Sequence, residues 1–76
     1  MASKRNGSVV NHIRVLRAAA GGMTQGDLAK RIGVSRQTLN AIEGGKYAPS
    51  LGVAFKIARE LGKPLVEVFE FVEDGR

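Results

Sequence analysis

Residues 25–44 read QGDLAKRIGVSRQTLNAIEG, and their spacing decides how the chain folds. Leu28, Ala29 and Ile32 recur at the interval that places them on one side of a helix; Leu39 and Ile42 repeat the pattern in the next segment, with Gly33-Val34 between. Ala29 stands where two short helices cross, so a larger side chain would push them apart, and Gly33 supplies the positive φ that a tight turn requires. Thr24, three residues before Asp27, gives the first of these helices a capping-box pattern. Ser35 offers an N-cap hydroxyl to the second, which runs to Glu43 and stops at Gly44-Gly45. Two short helices joined by a glycine turn therefore form the centre of the domain, with Leu28, Ile32, Val34, Leu39 and Ile42 burying their inner faces.

Working outward, Val9, Ile13 and Leu16 fall at i, i+4 and i+7 and predict a helix from about Val9 to Ala20, ended by Gly21-Gly22. On the other side, Lys46 to Pro49 forms a connecting loop. Ser50 then caps a helix whose inner face is Leu51, Ala54, Ile57, Ala58 and Leu61, and Gly62 ends it. Pro64 suits the first turn of a short fifth helix reaching about Phe69. The partial alternation of Glu70-Phe71-Val72-Glu73 reads equally as a helix end or a strand. The expected fold class is all-α: a compact five-helix domain over residues 9–72, with a flexible basic arm at 1–8 and a tail at 73–76.

A chain of 76 residues, 43% hydrophobic and 25% charged, is expected to fold around one core. The absence of Cys and the single His remove disulfides, thiolate sites and His-based metal clusters. With no nucleophile beside a base and no paired carboxylates, the sequence does not read as an enzyme, and it calls for no cofactor. No stretch approaches the roughly 20 apolar residues of a membrane span, and no apolar signal segment is present, so a cytoplasmic protein without membrane contact is expected. The net charge of +5 is unevenly spread. Residues 1–59 hold ten Lys/Arg against two acids, or +8, whereas residues 60–76 hold two against five, or −3. A basic body of this density favours a polyanion, nucleic acid first.

The spacing of residues 25–44 is that of a helix-turn-helix. Met23-Thr24-Gln25, Leu28-Ala29, Gly33-Val34-Ser35-Arg36-Gln37-Thr38, Ile42-Glu43 and Gly45-Lys46-Tyr47-Ala48-Pro49-Ser50 resemble the Cro and phage-repressor family, also called Xre, of prokaryotic regulators. The resemblance covers roughly residues 9 to 69. It implies a lambda-repressor-like domain with the helix-turn-helix at helices 2 and 3 and the third helix in the major groove. It further implies a homodimer on a near-palindromic double-stranded DNA operator at the prokaryotic nucleoid, a regulator expected to be a repressor, with activator as the alternative that the sequence leaves open.

Carried over by position, the resemblance makes Arg36 and Gln37 base readers, with Ala41 limited to apolar contact such as a thymine methyl. The chemistry agrees, because Arg pairs with guanine O6 and N7 and Gln with adenine N6 and N7. Ser35, Thr38 and Asn40 fall at the helix start or on its groove side, where they reach groove or backbone. Gln25 and Lys46 match phosphate clamps. Tyr47 either adds a backbone contact or packs over the loop. Arg17 and Glu43 match an ion pair joining the first helix to the end of the third, a structural role. Lys30 and Arg31 read as a solvated face, His12 as exposed or in a local backbone contact, and Lys4 and Arg5 as a frayed tail in preference to a DNA-reaching arm.

Pro64 to Val72 carries more large apolar groups than a short terminal helix can bury. If Leu65 and Phe69 close the core, Val66, Phe71 and Val72 form an exposed patch rimmed by Glu67, Glu70, Glu73 and Asp74. A dimer interface drawn from Val66, Phe69, Phe71 and Val72, within residues 61–72, is expected. The alternative function is a protein-interaction module of the same fold, such as an antitoxin or adaptor. Arg36, Gln37, Asn40 and Lys46 favour DNA, because they keep groove-compatible chemistry. No small-molecule site is evident, so a signal would arrive through concentration, proteolysis or a protein regulator.

Overall fold

Three hydroxyl side chains start three of the helices, and they set the frame of the domain. The computed structural model describes residues 7–46 and 48–73. In chain order it runs β1 (Gly7–Asn11), α1 (Ile13–Ala19), α2 (Gln25–Ile32), α3 (Arg36–Glu43), α4 (Leu51–Leu61), α5 (Leu65–Val68) and β2 (Phe69–Glu73). Thr24, Ser35 and Ser50 accept from the N–H groups of Asp27, Thr38 and Val53 at the starts of α2, α3 and α4. At α2 the box is complete: the Asp27 carboxylate accepts in turn from the Thr24 N–H at 3.2 Å. That backbone bond, with the Thr24 hydroxyl, holds the Asp27 pKa below its ordinary value. Gly33, at φ 79°, ends α2 in the left-handed region, where a Cβ is strained.

The core gathers one stripe from each helix. Ile13, Leu28, Leu39, Ile57 and Val68 are fully buried, with Ala29, Ile32, Ile42, Ala58 and Leu61 around them. At roughly 1.5–3 kcal/mol for each large side chain removed from water, these residues supply most of the drive to fold. Leu16, Met23, Val34, Leu65 and Phe69 seal the cluster from outside.

The all-α expectation holds for the five helices but not for the ends, where β1 and β2 pair antiparallel from Gly7↔Glu73 to Asn11↔Phe69. Val9 lies in β1, not in the first helix, which begins at Ile13. Its four-residue spacing from Ile13 mimics a helical repeat, but Val9-Val10 is β-branched and finds a partner strand at the far end of the sequence. Residues 7 and 8, expected in the basic arm, are strand, and so is Glu73, expected in the tail. Lys4, Arg5 and Asp74 lie outside the described residues. Glu70 to Glu73 takes the strand alternative. Leu51, expected in the core, is exposed at the first turn of α4. Leu65 and Phe69 pack against the core as expected, while Val68, one turn after Leu65 in the short α5, is the fully buried residue of this segment.

Gly26 lies within α2 at an ordinary helical φ, and a Cβ there would meet its nearest neighbours, Arg36 Cδ and Thr24 Oγ1, at 3.9 Å. Gly26→Ala should therefore stabilise the fold, by up to about 1 kcal/mol, through helix propensity. A urea midpoint below that of the parent would contradict this.

Candidate nucleic-acid interface

The helix-turn-helix is α2, the Gly33-Val34-Ser35 turn and α3. Leu39 and Ile42 face the core, which turns the rest of α3 outward. Arg36 and Asn40 share one line of that helix and Gln37 and Ala41 the next, at i and i+4. Arg36, Gln37 and Asn40 are exposed and Ala41 is half-buried. Arg36 forms no salt bridge among the described residues, so its guanidinium donors face solvent. The Ser35 hydroxyl donates to Thr38 Oγ1 at 2.9 Å and accepts from the Thr38 N–H at 3.0 Å, leaving the Thr38 hydroxyl proton available outward.

Behind this face sits a network of charged and amide side chains. Arg17 donates through Nε to Glu43 Oε2 at 2.9 Å, through Nη2 to Glu43 Oε1 at 3.0 Å, and through Nη1 to the Met23 carbonyl at 3.0 Å. The side chains of this pair are only 13% and 7% exposed. Gln25, expected as a phosphate clamp, is engaged within the chain: its amide donates to Asn40 Oδ1 at 3.3 Å and Glu43 Oε1 at 3.2 Å. The Lys46 ammonium is exposed while its N–H bonds the Ala41 carbonyl at 2.9 Å, fixing its backbone against the end of α3. Tyr47 lies outside the described residues.

Two residues escaped the sequence reading. Asn11 bridges α1 and α3 through its side-chain amide. Asn side chains favour accepting from the N–H two residues on, an Asx turn, and this local signal would have set the start of α1 at Ile13 in place of Val9. His12 is exposed as expected, but its contacts are long-range: its Nε2 lies 3.3 Å from Glu70 Oε1 and its backbone N–H bonds the Val68 carbonyl at 2.9 Å. A pair separated by 58 residues leaves no local trace. Arg31 is exposed as expected and approaches Glu60 at 3.7 Å, a surface pair of small weight.

The apolar residues near the C-terminus do not form one patch. Val66 is 79% exposed and Phe71 62%, but Phe71 and Val72 project from opposite faces of the sheet. On the Phe71 side, Val9, Ala48, Pro49, Leu51, Leu65 and Phe69 line an apolar groove of about 300 Å³ between the sheet and α4. Among the described residues no helix is long and apolar enough to cross a membrane.

Comparison with known proteins agrees with this geometry. A helix-turn-helix family model matches residues 13–68, from α1 through α5, with both strands outside the match. An uncharacterised HTH-type transcriptional regulator of Methanocaldococcus jannaschii is 56% identical over 52 residues, covering 68% of this chain and 79% of that protein. Another, from Bacillus subtilis, is 41% identical over 65 residues, covering 86% and 97%. A crystal structure from Bacteroides fragilis, provisionally described as a DNA-binding protein, superposes with a TM-score of 0.73 at 27% identity, covering 82% of this chain and 98% of that one. With the model matched across all five helices and relatives this similar along most of their length, the chain belongs to the Cro/phage-repressor (Xre) type of the helix-turn-helix family.

Proposed function

We propose that the chain is a sequence-specific regulator that binds double-stranded DNA as a homodimer, with α3 in the major groove of a near-palindromic operator. The observation that carries this reading is the outer face of α3, where Arg36, Gln37 and Asn40 present donors and acceptors to solvent on a helix locked to the core behind them. Repression is the simpler outcome, because a bound dimer blocks a polymerase without any further contact. The names of the relatives and of the solved neighbour support DNA binding and transcriptional regulation.

Lys46 supports the phosphate side of this reading, as do Thr38 and the first amides of α2. Affinity should fall steeply with salt, by a log-log slope of about −0.9 for each phosphate neutralised. Lys46→Ala should weaken every duplex alike and reduce that slope by about one. Titration of a labelled duplex, chosen by selection from a random pool, at several salt concentrations measures both. Absence of binding to any selected duplex at low salt would overturn the reading and favour a protein-interaction module.

The dimer reading rests on Val66, Phe69 and Phe71 together with the groove beside them, which adds Val9 and Leu51 to the surface a second copy would cover. Val72 contributes less, since it projects from the other face of the sheet. To meet successive major grooves, the two α3 helices of an isologous pair must lie about 34 Å apart, one turn of duplex. Sedimentation equilibrium across micromolar concentrations should give a dimer mass for the parent and a monomer mass for Phe71→Asp. A monomer throughout would exclude this interface in the free protein.

A further inference from the structure

Asn11 is the last residue of β1, and its side chain serves two helices at once. Its Oδ1 accepts from the Ile13 N–H at 3.1 Å, satisfying an amide at the start of α1. Its Nδ2 donates to the carbonyls of Ile42 at 3.1 Å and Glu43 at 3.3 Å, at the end of α3. The last carbonyls of a helix have no partner inside it. Those of α3 accept from Gly44, Gly45 and Lys46 as the chain turns away, and Asn11 adds a bond from another element. Arg17 and Gln25 hold the same end through Glu43. The opposite end, which carries Arg36 and Gln37, has its own cap at Ser35.

The helix is therefore anchored at its C-terminal end and free for recognition at its N-terminal end. A helix of this length spans about 12 Å, so a tilt of roughly 10° at the anchor moves the far end by about 2 Å. That exceeds the range over which a hydrogen bond to a base edge survives. Arg17 and Gln25 come from α1 and α2, inside the matched family span, whereas Asn11 comes from the strand outside it. We propose that Asn11 is a positioning residue for DNA readout, tying the angle of α3 to the terminal sheet. This inference rests on the reading of α3 as the recognition helix.

Two neutral substitutions test it. Asn11→Ser keeps an acceptor for the Ile13 N–H but is too short to reach α3, whereas Asn11→Ala removes both functions. In both variants the ratio of affinity for the selected site over random duplex should fall about tenfold, as base-edge pairs lose their geometry. Affinity for random duplex, being electrostatic, should stay within about twofold of the parent. In the free protein, amide exchange at Gly44, Gly45 and Lys46 should accelerate about tenfold more than exchange within α4. A parent without site preference would defeat the DNA reading, and the exchange measurement would still decide whether Asn11 holds α3. A selective parent matched by an equally selective Asn11→Ser, or exchange rising equally at Gly44–Lys46 and within α4, would overturn the proposal.

Discussion

Glu43→Ala will lower the stability of the domain by about 3–5 kcal/mol, the cost of leaving the other half of a buried pair uncompensated. The Arg17 side chain, 13% exposed, would keep its bond to the Met23 carbonyl and lose both bonds to the carboxylate. Gln25 would lose an acceptor in the same change, loosening α2 from α3. For a domain of this size each kcal/mol moves the melting temperature by about 4–8 °C, so a fall of at least about 12 °C is expected by circular dichroism. Total stabilities of small domains lie near 5 kcal/mol at the lower end, so the variant will be partly unfolded at 25 °C and its DNA affinity will fall for that reason alone. Replacing both partners, Arg17→Met with Glu43→Leu, should recover much of the loss, because the burial penalty of two charges is removed together with their attraction. A single variant as stable as the parent would show that solvent reaches the pair freely.

Arg36→Ala should leave the fold intact and cost about 1–3 kcal/mol of discrimination at one base pair of the selected site. Arg36 is exposed and unpaired by any carboxylate among the described residues, so its removal breaks no internal bond of the network. Gln37→Ala should act similarly at a different base pair, since the two residues lie on adjacent lines of α3. Affinities for the selected site and a panel of single-base variants separate these effects from the uniform weakening expected of Lys46→Ala. Full sequence preference in Arg36→Ala would mean that another face of α3 meets the bases.

What the sequence disclosed and what it concealed divide by the distance over which each signal acts. Thr24, Ser35 and Ser50 announce helix starts within three residues, and Gly33 and Gly62 mark helix ends, so α2, α3 and α4 were legible from neighbours alone. The outward face of α3 followed from the inward one. The sheet was hidden because Val9 pairs with Phe71 at the far end of the chain; locally, only Asn11, whose side chain bonds the Ile13 N–H, separates Val9 in a strand from Val9 a turn before Ile13. Val68 was missed where a one-turn helix passes directly into a strand and the period changes from three to two within a few residues. The engagement of Gln25 was also hidden, since its acceptors, Asn40 and Glu43, reach it only through the crossing of α2 and α3.

The pairing of Gly7 with Glu73 brings the two ends of the described chain side by side, so the sheet is a clasp across the helices that lie between them. Helical contacts form among near neighbours and quickly, whereas this contact must recover the loop entropy of nearly the whole chain. Force applied across the two ends would act on the clasp first, and because the strands are antiparallel with their ends together, it would peel the ladder bond by bond. The clasp is therefore the first element to yield under tension, and its release would precede the loss of the helical core.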